Sequence, residues 1–521
     1  MRINTNVTAI MSNNNLQKAQ TNLEKSIQRL SSGYKLNSAG DDPAGVAITD
    51  KMKSQIKGLK QANNNTADGV SVVNTAEGAI TEIQSMLARM KELTVQAAND
   101  VNSDEERDAI QNEINSMNKE IDRISSQTEF NTQPLINGNL SRRVYSNYSG
   151  VNQLECSDGF TAGDYGITIT QDARQAVVIG SGAITMSSTD TITEDQAGII
   201  SVNGYNVEVG VGDNLGSIME KVMSAADKVG GKAFTVSPAA TNDTKTNGTE
   251  YAGYSAQTTY TGNKLAVMTN QFGGQEAMDV KCNNAQLANL FGIPAAAVGD
   301  GIHAEGSDVK ASFTTQVVDG VTKRVGFEDS AVISTSGTRV TVKDVNNKTF
   351  TMDVPGNIAG TKFSDTTRAD SKPTVTTAAS ANVTQEVTDV GTMSIHVGAN
   401  ENQVILLDIP EVTAYTLGTD KINVMTGVTA ARAIDVVDNA ITYANSARSK
   451  LGAYQNRFEH TTNNLDTSTE NMESALSTMM DTDMAEEMTN YTSLNVLTQA
   501  ATSILSQANQ RPSSVLQLLQ K

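Results

Sequence analysis

Histidines, cysteines and paired aspartates are the side chains through which this chain could move protons, attack a substrate or hold a metal. Its three histidines, His303, His396 and His460, are widely scattered. None sits in His-Glu-x-x-His, the spacing that puts two imidazoles on one helix face around zinc. The sequence has no Gly-x-Ser-x-Gly elbow to expose a nucleophilic serine and no Gly-x-x-x-x-Gly-Lys-Ser/Thr loop to cradle phosphates. Asp41 with Asp42 and Asp481 with Asp483 are acidic pairs. Both read as loop or N-capping residues, whose carboxylates accept from orphan backbone N–H groups. Cys156 and Cys282 make no disulfide framework and read as small, buried, free thiols. The expectation is a chain that is not an enzyme and needs no cofactor.

What remains is the elements themselves. At 521 residues the chain should form several domains. A formal net charge of −19 argues against nucleic acid, which needs clustered Lys and Arg. No run of about 18 apolar residues could insert into a bilayer, and the start lacks the basic and apolar pattern of a cleaved signal peptide. There is no Trp, and no aromatic residue between Tyr34 and Phe130. Such stretches suit long helices with aliphatic contacts.

The termini carry helical periods. Ile3, Val7 and Ile10 are spaced by four and three; after a polar gap come Leu16, Ala19, Leu23, Ile27 and Leu30. At the other end Leu494, Leu497, Ala501, Leu505 and Ala508 repeat the spacing, until Pro512 interrupts it before Val515, Leu518 and Leu519. These are narrow, coiled-coil-like stripes. At 1.5 Å per residue the first helix would run roughly 45 Å. Asn, Gln and Ser fill the other faces with few charges, which suits packing against many copies.

Inside the termini, a second helical stretch runs from near Ala44 to about Asn99, with Ile48, Met52, Ile56 and Leu59, then Ile80, Ile83, Leu87 and Met90. Ser103 and Glu106 form a capping box for a third, carrying Ile110, Ile114, Met117, Ile121 and Ile124. Turns follow at Phe130-Asn131 and Asn137-Gly138. From about Arg142 to Pro410, short alternations such as Ile167/Ile169, Val207/Val209/Val211, Leu265/Val267 and Val340/Val342 predict half-buried antiparallel strands. One helix interrupts them, capped by Asp213 or Asn214 and carrying Ile218, Val222, Ala225 and Val229. After Pro410 the helical period returns with Ile434, Val437, Ile441, Leu451, Tyr454, Phe458 and Leu465. The fold class is α plus β and multidomain: long antiparallel coiled-coil-like helices from both termini, with a strand-rich insertion in the middle.

Several strings carry a family resemblance. Met1-Arg2-Ile3-Asn4-Thr5-Asn6, Arg29-Leu30-Ser31-Ser32-Gly33-Tyr34-Lys35-Leu36-Asn37-Ser38-Ala39, Asp41-Asp42-Pro43-Ala44-Gly45, Glu92-Leu93-Thr94-Val95-Gln96-Ala97-Ala98-Asn99 and Ser503-Ile504-Leu505-Ser506-Gln507-Ala508-Asn509-Gln510 resemble bacterial flagellin, in order and at both ends. The resemblance covers roughly residues 1–140 and 420–521. In between, Ile200-Ser201-Val202-Asn203-Gly204, with Asp213-Asn214-Leu215 and its helix, is similar to the flagellin hook IN motif at about 199–284.

The resemblance implies a subunit that polymerises into the flagellar filament, the propeller of motility. It implies inner-tube helices at 1–43 and 480–521, a helical outer-tube domain from 44–141 and 411–479, and a surface-exposed region at 142–410. The filament-core packing residues would be Ile3, Val7, Leu16, Leu23, Ile27, Leu30, Leu494, Leu497, Ala501, Leu505, Leu518 and Leu519. Implied partners are the chain itself, the flagellar cap and hook–filament junction proteins, an export chaperone and the flagellar export apparatus. The implied location is extracellular, reached without a cleaved signal peptide. Threading through an export channel also disfavours a bridge between Cys156 and Cys282. Unlike flagellins that carry a zinc-peptidase insertion, this chain lacks its motif. The resemblance further implies that free monomer is recognised by the host Toll-like flagellin receptor through Arg89, Glu92, Leu93, Gln96 and Glu113. At helical spacing the first four can share one broad face. A hook–filament junction protein and a surface adhesin are the alternatives.

Overall fold

The computed structural model describes residues 6–157, 160–238, 256–293, 301–318, 321–344, 348–363, 375–377, 379–388 and 390–519, with side chains except at 317–318, 321–322, 362–363, 376–377 and 512–519. Ile3 and the side chains of Leu518 and Leu519 lie outside the described residues. The helices are α1 (Val7–Ser32), α2 (Pro43–Ala97), α3 (Asp104–Gln127), α4 (Leu215–Lys228), α5 (Ala285–Leu290), α6 (Ala414–Leu417), α7 (Gly427–Met480) and α8 (Met484–Leu519). The chain divides into two compact units, one of Met1–Val70, Ile395–Ile405 and Asn456–Lys521, the other of Ser71–Ser394 and Leu406–Gln455.

The first unit contains α1 and α8, with the neighbouring parts of α2 and α7. Asn6 caps α1 by accepting from the Ala9 N–H at 3.2 Å. Gly33 ends it at φ 77°, the left-handed position that costs glycine nothing, and returns its N–H to the Arg29 carbonyl. The linkers then zip together: Lys35 N–H donates to the Met480 carbonyl at 2.7 Å, and Thr482 N–H to the Gly33 carbonyl at 2.9 Å. α2 and α7 run antiparallel here, with Lys60 Nζ 2.7 Å from Glu473 and Asn63 Nδ2 2.8 Å from Asp466. Gly69 matters because a Cβ there would sit 3.0 Å from the buried Phe458 ring. α8 runs on past Pro512 to Leu519, so the proline interrupts the apolar spacing but not the helix.

In the second unit, the inward residues of α2 are Val73, Ala76, Ile80, Ile83, Leu87, Met90, Leu93 and Ala97. On α7 they are Ala430, Ala433, Val437, Ala440, Ala444, Ala447, Leu451 and Tyr454, alternating three and four without a break. That is a heptad seam, and its alanines allow close helix approach. Glu77–Arg448 (3.0 Å), Gln84–Asn445 (2.8 Å) and Lys91–Asp438 (2.5 Å) advance along α2 as they step back along α7, which fixes an antiparallel pair. α3 adds Ile110, Ile114 and Ile121, and its Ser103/Glu106 capping box is formed.

Among the described residues, the strands of this unit build two large cores. In one, the sheet Lys310–Phe313, Gly163–Gln171, Ala381–Val387 and Val144–Ser146 and the sheet Val332–Ser336, Arg339–Lys343, Thr349–Asp353 and Asn152–Cys156 bury a shared interior of Ile167, Ile169, Val340, Val342, Phe350 and Val383. Phe160, Tyr165 and Phe327 meet edge to face within it, with centroids 5.1–6.1 Å apart. In the other, the three-stranded sheet Gln175–Ile179, Lys264–Phe272 and Gly231–Val236 and the four-stranded sheet Ile302–Glu305, Ala277–Cys282, Gly198–Val202 and Tyr205–Val209 share a core with α4 and α5. The Gly198–Val202 and Tyr205–Val209 strands join through Asn203 (φ 47°) and Gly204 (φ 88°), the two left-handed residues of a tight hairpin turn.

Two strand expectations need correction. Leu265 and Val267 do not mark a half-buried strand: Ala266 and Met268 are buried too, against Val177, Ile179, Phe234 and Val236. That sheet is covered on both faces, and alternation counts only one of them. Val211 lies past the strand end and is 65% exposed, because the chain turns at Gly210–Gly212 to enter α4.

Candidate functional site

The residues that could have done chemistry are spent on structure. His303 faces Asp279 across two strands, Nδ1 to Oδ1 at 2.7 Å, and its Nε2 lies 3.5 Å from Glu305. Burial alone would lower its pKa, but the two carboxylates outweigh that and raise it. Both ring nitrogens are engaged, and among the described residues no group of three His, Cys, Asp or Glu could hold a metal ion. His460 is exposed, and the His396 carbonyl accepts from Asn65. Asp483 caps α8, accepting from the N–H groups of Ala485 (2.9 Å) and Glu486 (3.2 Å). Asp42 caps α2 through Ala44, and Asp41 holds the Ser38 turn, as capping chemistry predicts. Cys156 and Cys282 are buried in two different strand cores and are not joined by a disulfide; burial raises the Cys282 thiol pKa.

A polar cavity of about 650 Å³ was not foreseen. Its walls come from five separate segments, so no local pattern announces it. Asp408 pairs with Lys450 at 2.7 Å and accepts from the Arg142 N–H. Glu155 accepts from Thr349, and burial, only partly offset by Thr349, Lys450 and Lys343, raises its carboxyl pKa. Burial does the same to Glu411 and, more strongly, to Tyr443, whose hydroxyl donates to the Glu411 carbonyl.

Arg89, Glu92, Gln96 and Glu113 are exposed on α2 and α3. Arg89 reaches Glu92 at 3.0 Å and Glu113 at 3.2 Å. Its guanidinium pKa is raised, first by Glu92 and then by Glu113. Leu93 does not share this face: it is 2% exposed and packed inside the helical bundle. The expected four-residue face is therefore three residues wide on α2, because the aliphatic seam of α2 is broad enough to take Leu93 as well as Met90.

The terminal pair is different in kind. α1 and α8 run antiparallel, tied by Asn6 Nδ2 to the Ala508 carbonyl (3.0 Å) and by Arg29 to Glu487 (3.6 Å). Leu16, Leu23, Leu30, Leu494, Ala501 and Leu505 are half-buried. Val7, Ile27 and Leu497, expected on the same stripes, are 58%, 48% and 54% exposed. At about 100° per residue, Val7, Ile10 and Met11 fall on the side of α1 opposite Leu16 and Leu23. The polar gap thus switches the stripe from one face to another. On α8, Met484 and Met488 share one side, Val496 lies about 120° further round, and Leu497 and Ile504 further still; all five are exposed. A helix apolar on several sides is built to be surrounded. The i, i+4 pairs Val7/Met11 and Met484/Met488 were the signal for this second set.

Residues 3–141 match the bacterial flagellin N-terminal helical region, and residues 434–519 match the C-terminal helical region. The chain is 32% identical to a flagellin of Salmonella rubislaw over 99% of both chains. It is 31% identical to one of Clostridium tyrobutyricum, over 98% of this chain and all of that one. Against a flagellin of Escherichia coli strain K12 it is 32% identical over 99% of each.

Proposed function

This chain belongs to the bacterial flagellin family, and we propose from that premise how its parts build a filament. It is a structural subunit of the bacterial flagellar filament, not an enzyme. Residues 1–43 and 480–521 form the inner tube, 44–141 and 411–479 the outer tube, and 142–410 the outer surface. The observation that carries this is the terminal pair: two helices that leave apolar side chains uncovered on several sides. Identical copies stacked around an axis would cover them, and the hydrophobic gain of that burial drives assembly. Ile3, Val7, Leu16, Leu23, Ile27, Leu30, Leu494, Leu497, Ala501, Leu505, Leu518 and Leu519 are assigned to this packing. Val496 and Ile504 join them. Relatives that match nearly end to end and are named flagellins favour this reading over a junction protein.

The same reading gives the subunit a chaperone and the flagellar export apparatus on its way out, cap and junction proteins at the filament ends, and an extracellular address. It also makes the free subunit a ligand of the host Toll-like flagellin receptor through Arg89, Glu92, Gln96 and Glu113, with Leu93 supporting the face from within. No helix among the described residues is long and apolar enough to cross a membrane.

The test is seeded polymerisation. Purified subunits added to sheared filament fragments should elongate them, as seen by electron microscopy. Subunits lacking 500–521 should add none while the second unit keeps its melting transition. Elongation by the truncated chain would overturn the assignment of α8 to the filament core.

A further inference from the structure

We propose that Met484 and Met488 form a peroxide-sensitive modification site that controls whether a subunit can join the filament. This rests on the reading of α8 as an assembly surface. Both side chains are 48% exposed, one helical turn apart, on the same side of α8. Asp483 caps the turn that carries them, and Arg29 of α1 reaches Glu487 between them. Met480, four residues before Met484, is 9% exposed and serves as a built-in comparison.

The chemistry needs only a peroxide. The thioether sulfur attacks one peroxide oxygen, the O–O bond breaks, and the departing hydroxide takes up a proton to leave as water. Sulfur is oxidised by two electrons to the sulfoxide, and the peroxide is reduced. The product is polar and strongly hydrogen-bond accepting. Covering it with the apolar side chains of a neighbouring copy strips its water without replacing it. An apolar contact that favours addition becomes one that opposes it. In an assembled filament the same neighbours shield both sulfurs, so the modification acts on the free subunit.

The experiment treats purified full-length subunits with hydrogen peroxide, locates sulfoxide by peptide mass spectrometry and measures elongation of sheared filament seeds. Sulfoxide should accumulate at Met484 and Met488 ahead of Met480, and elongation should fall about tenfold or more. Met11 and Met479 are also exposed, at 61% and 42%. Met11 belongs to the assembly set as well, so the comparison is made in a Met11→Leu background: Met11→Leu alone should lose elongation after peroxide, and Met11→Leu/Met484→Leu/Met488→Leu should elongate at its untreated rate. Unchanged elongation of the Met11→Leu chain with Met484 and Met488 fully oxidised would overturn the proposal, as would equal loss in the triple variant. If untreated subunits do not extend seeds, the assembly reading itself fails and takes this proposal with it, which the peroxide-free arm detects separately.

Discussion

The helical pair at the termini and the helical bundle of the second unit use similar periodicities for opposite ends. Of the 26 residues of α1, only Ser26 is buried. In the second unit α2 buries an unbroken seam from Val72 to Ala97, and α7 matches it from Ala430 to Tyr454. The bundle covers its stripe with its own chain. The terminal pair has apolar residues on more sides than one partner can cover. A repeat of threes and fours fixes a helix and a seam; how many seams a helix has decides whether it is satisfied within one chain or needs others.

The sharpest way to break this comparison is one substitution on each side of it. Val496→Asp should reduce seeded elongation by about a hundredfold or more while leaving the melting temperature of the monomer unchanged, since a carboxylate would be desolvated only in the polymer. If its melting transition falls instead, Val496 is covered within the monomer. Leu87→Ala, in the bundle, should behave in reverse. It removes a fully buried side chain and should cost about 2–5 kcal/mol of stability, measurable by denaturant titration.

Smaller effects sharpen the map. Arg89→Ala should weaken receptor binding by the free subunit about tenfold, read by surface-immobilised binding. Its exposed ion pairs with Glu92 and Glu113 contribute little, so stability should move by less than about 0.5 kcal/mol. Unchanged binding would remove the proposed contact. Glu155→Gln isolates the polar cavity. The Glu155 carboxyl pKa is raised in the fold, so the cost of ionising it is present above that raised value and absent below the unfolded carboxyl value. The variant should therefore melt a few degrees higher near neutral pH. The gain should shrink to nothing as the pH falls through the carboxylate range. A constant difference across pH would contradict the burial account.

Most of this was legible in the residues, and what was not has physical reasons. The capping box at Ser103 and the caps at Asp42 and Asp483 are short-range chemistry, and they stand where the spacing put them. The helical periods gave α1, α2, α3, α4, α7 and α8. Periodicity failed where it had to choose a face. It put Val7 on one stripe with Leu16, and it placed Leu93 beside Arg89, because spacing alone does not say how wide a seam is. It took Leu265 and Val267 for a one-sided strand, because nothing in the local pattern shows that the other face, where Ala266 and Met268 lie beside Val177 and Phe234 of the neighbouring strands, is buried as well. The cavity at Glu155, Asp408, Glu411 and Lys450 joins segments hundreds of residues apart and leaves no local trace.

Hydrogen exchange on the full-length chain tests the central claim most directly. In dilute subunits, amides of α1 and α8 should exchange fast while those of α2 and α7 in the second unit stay protected; in filaments grown from the same preparation, all four should be slow. Terminal helices as protected in solitary molecules as in filaments would contradict the account.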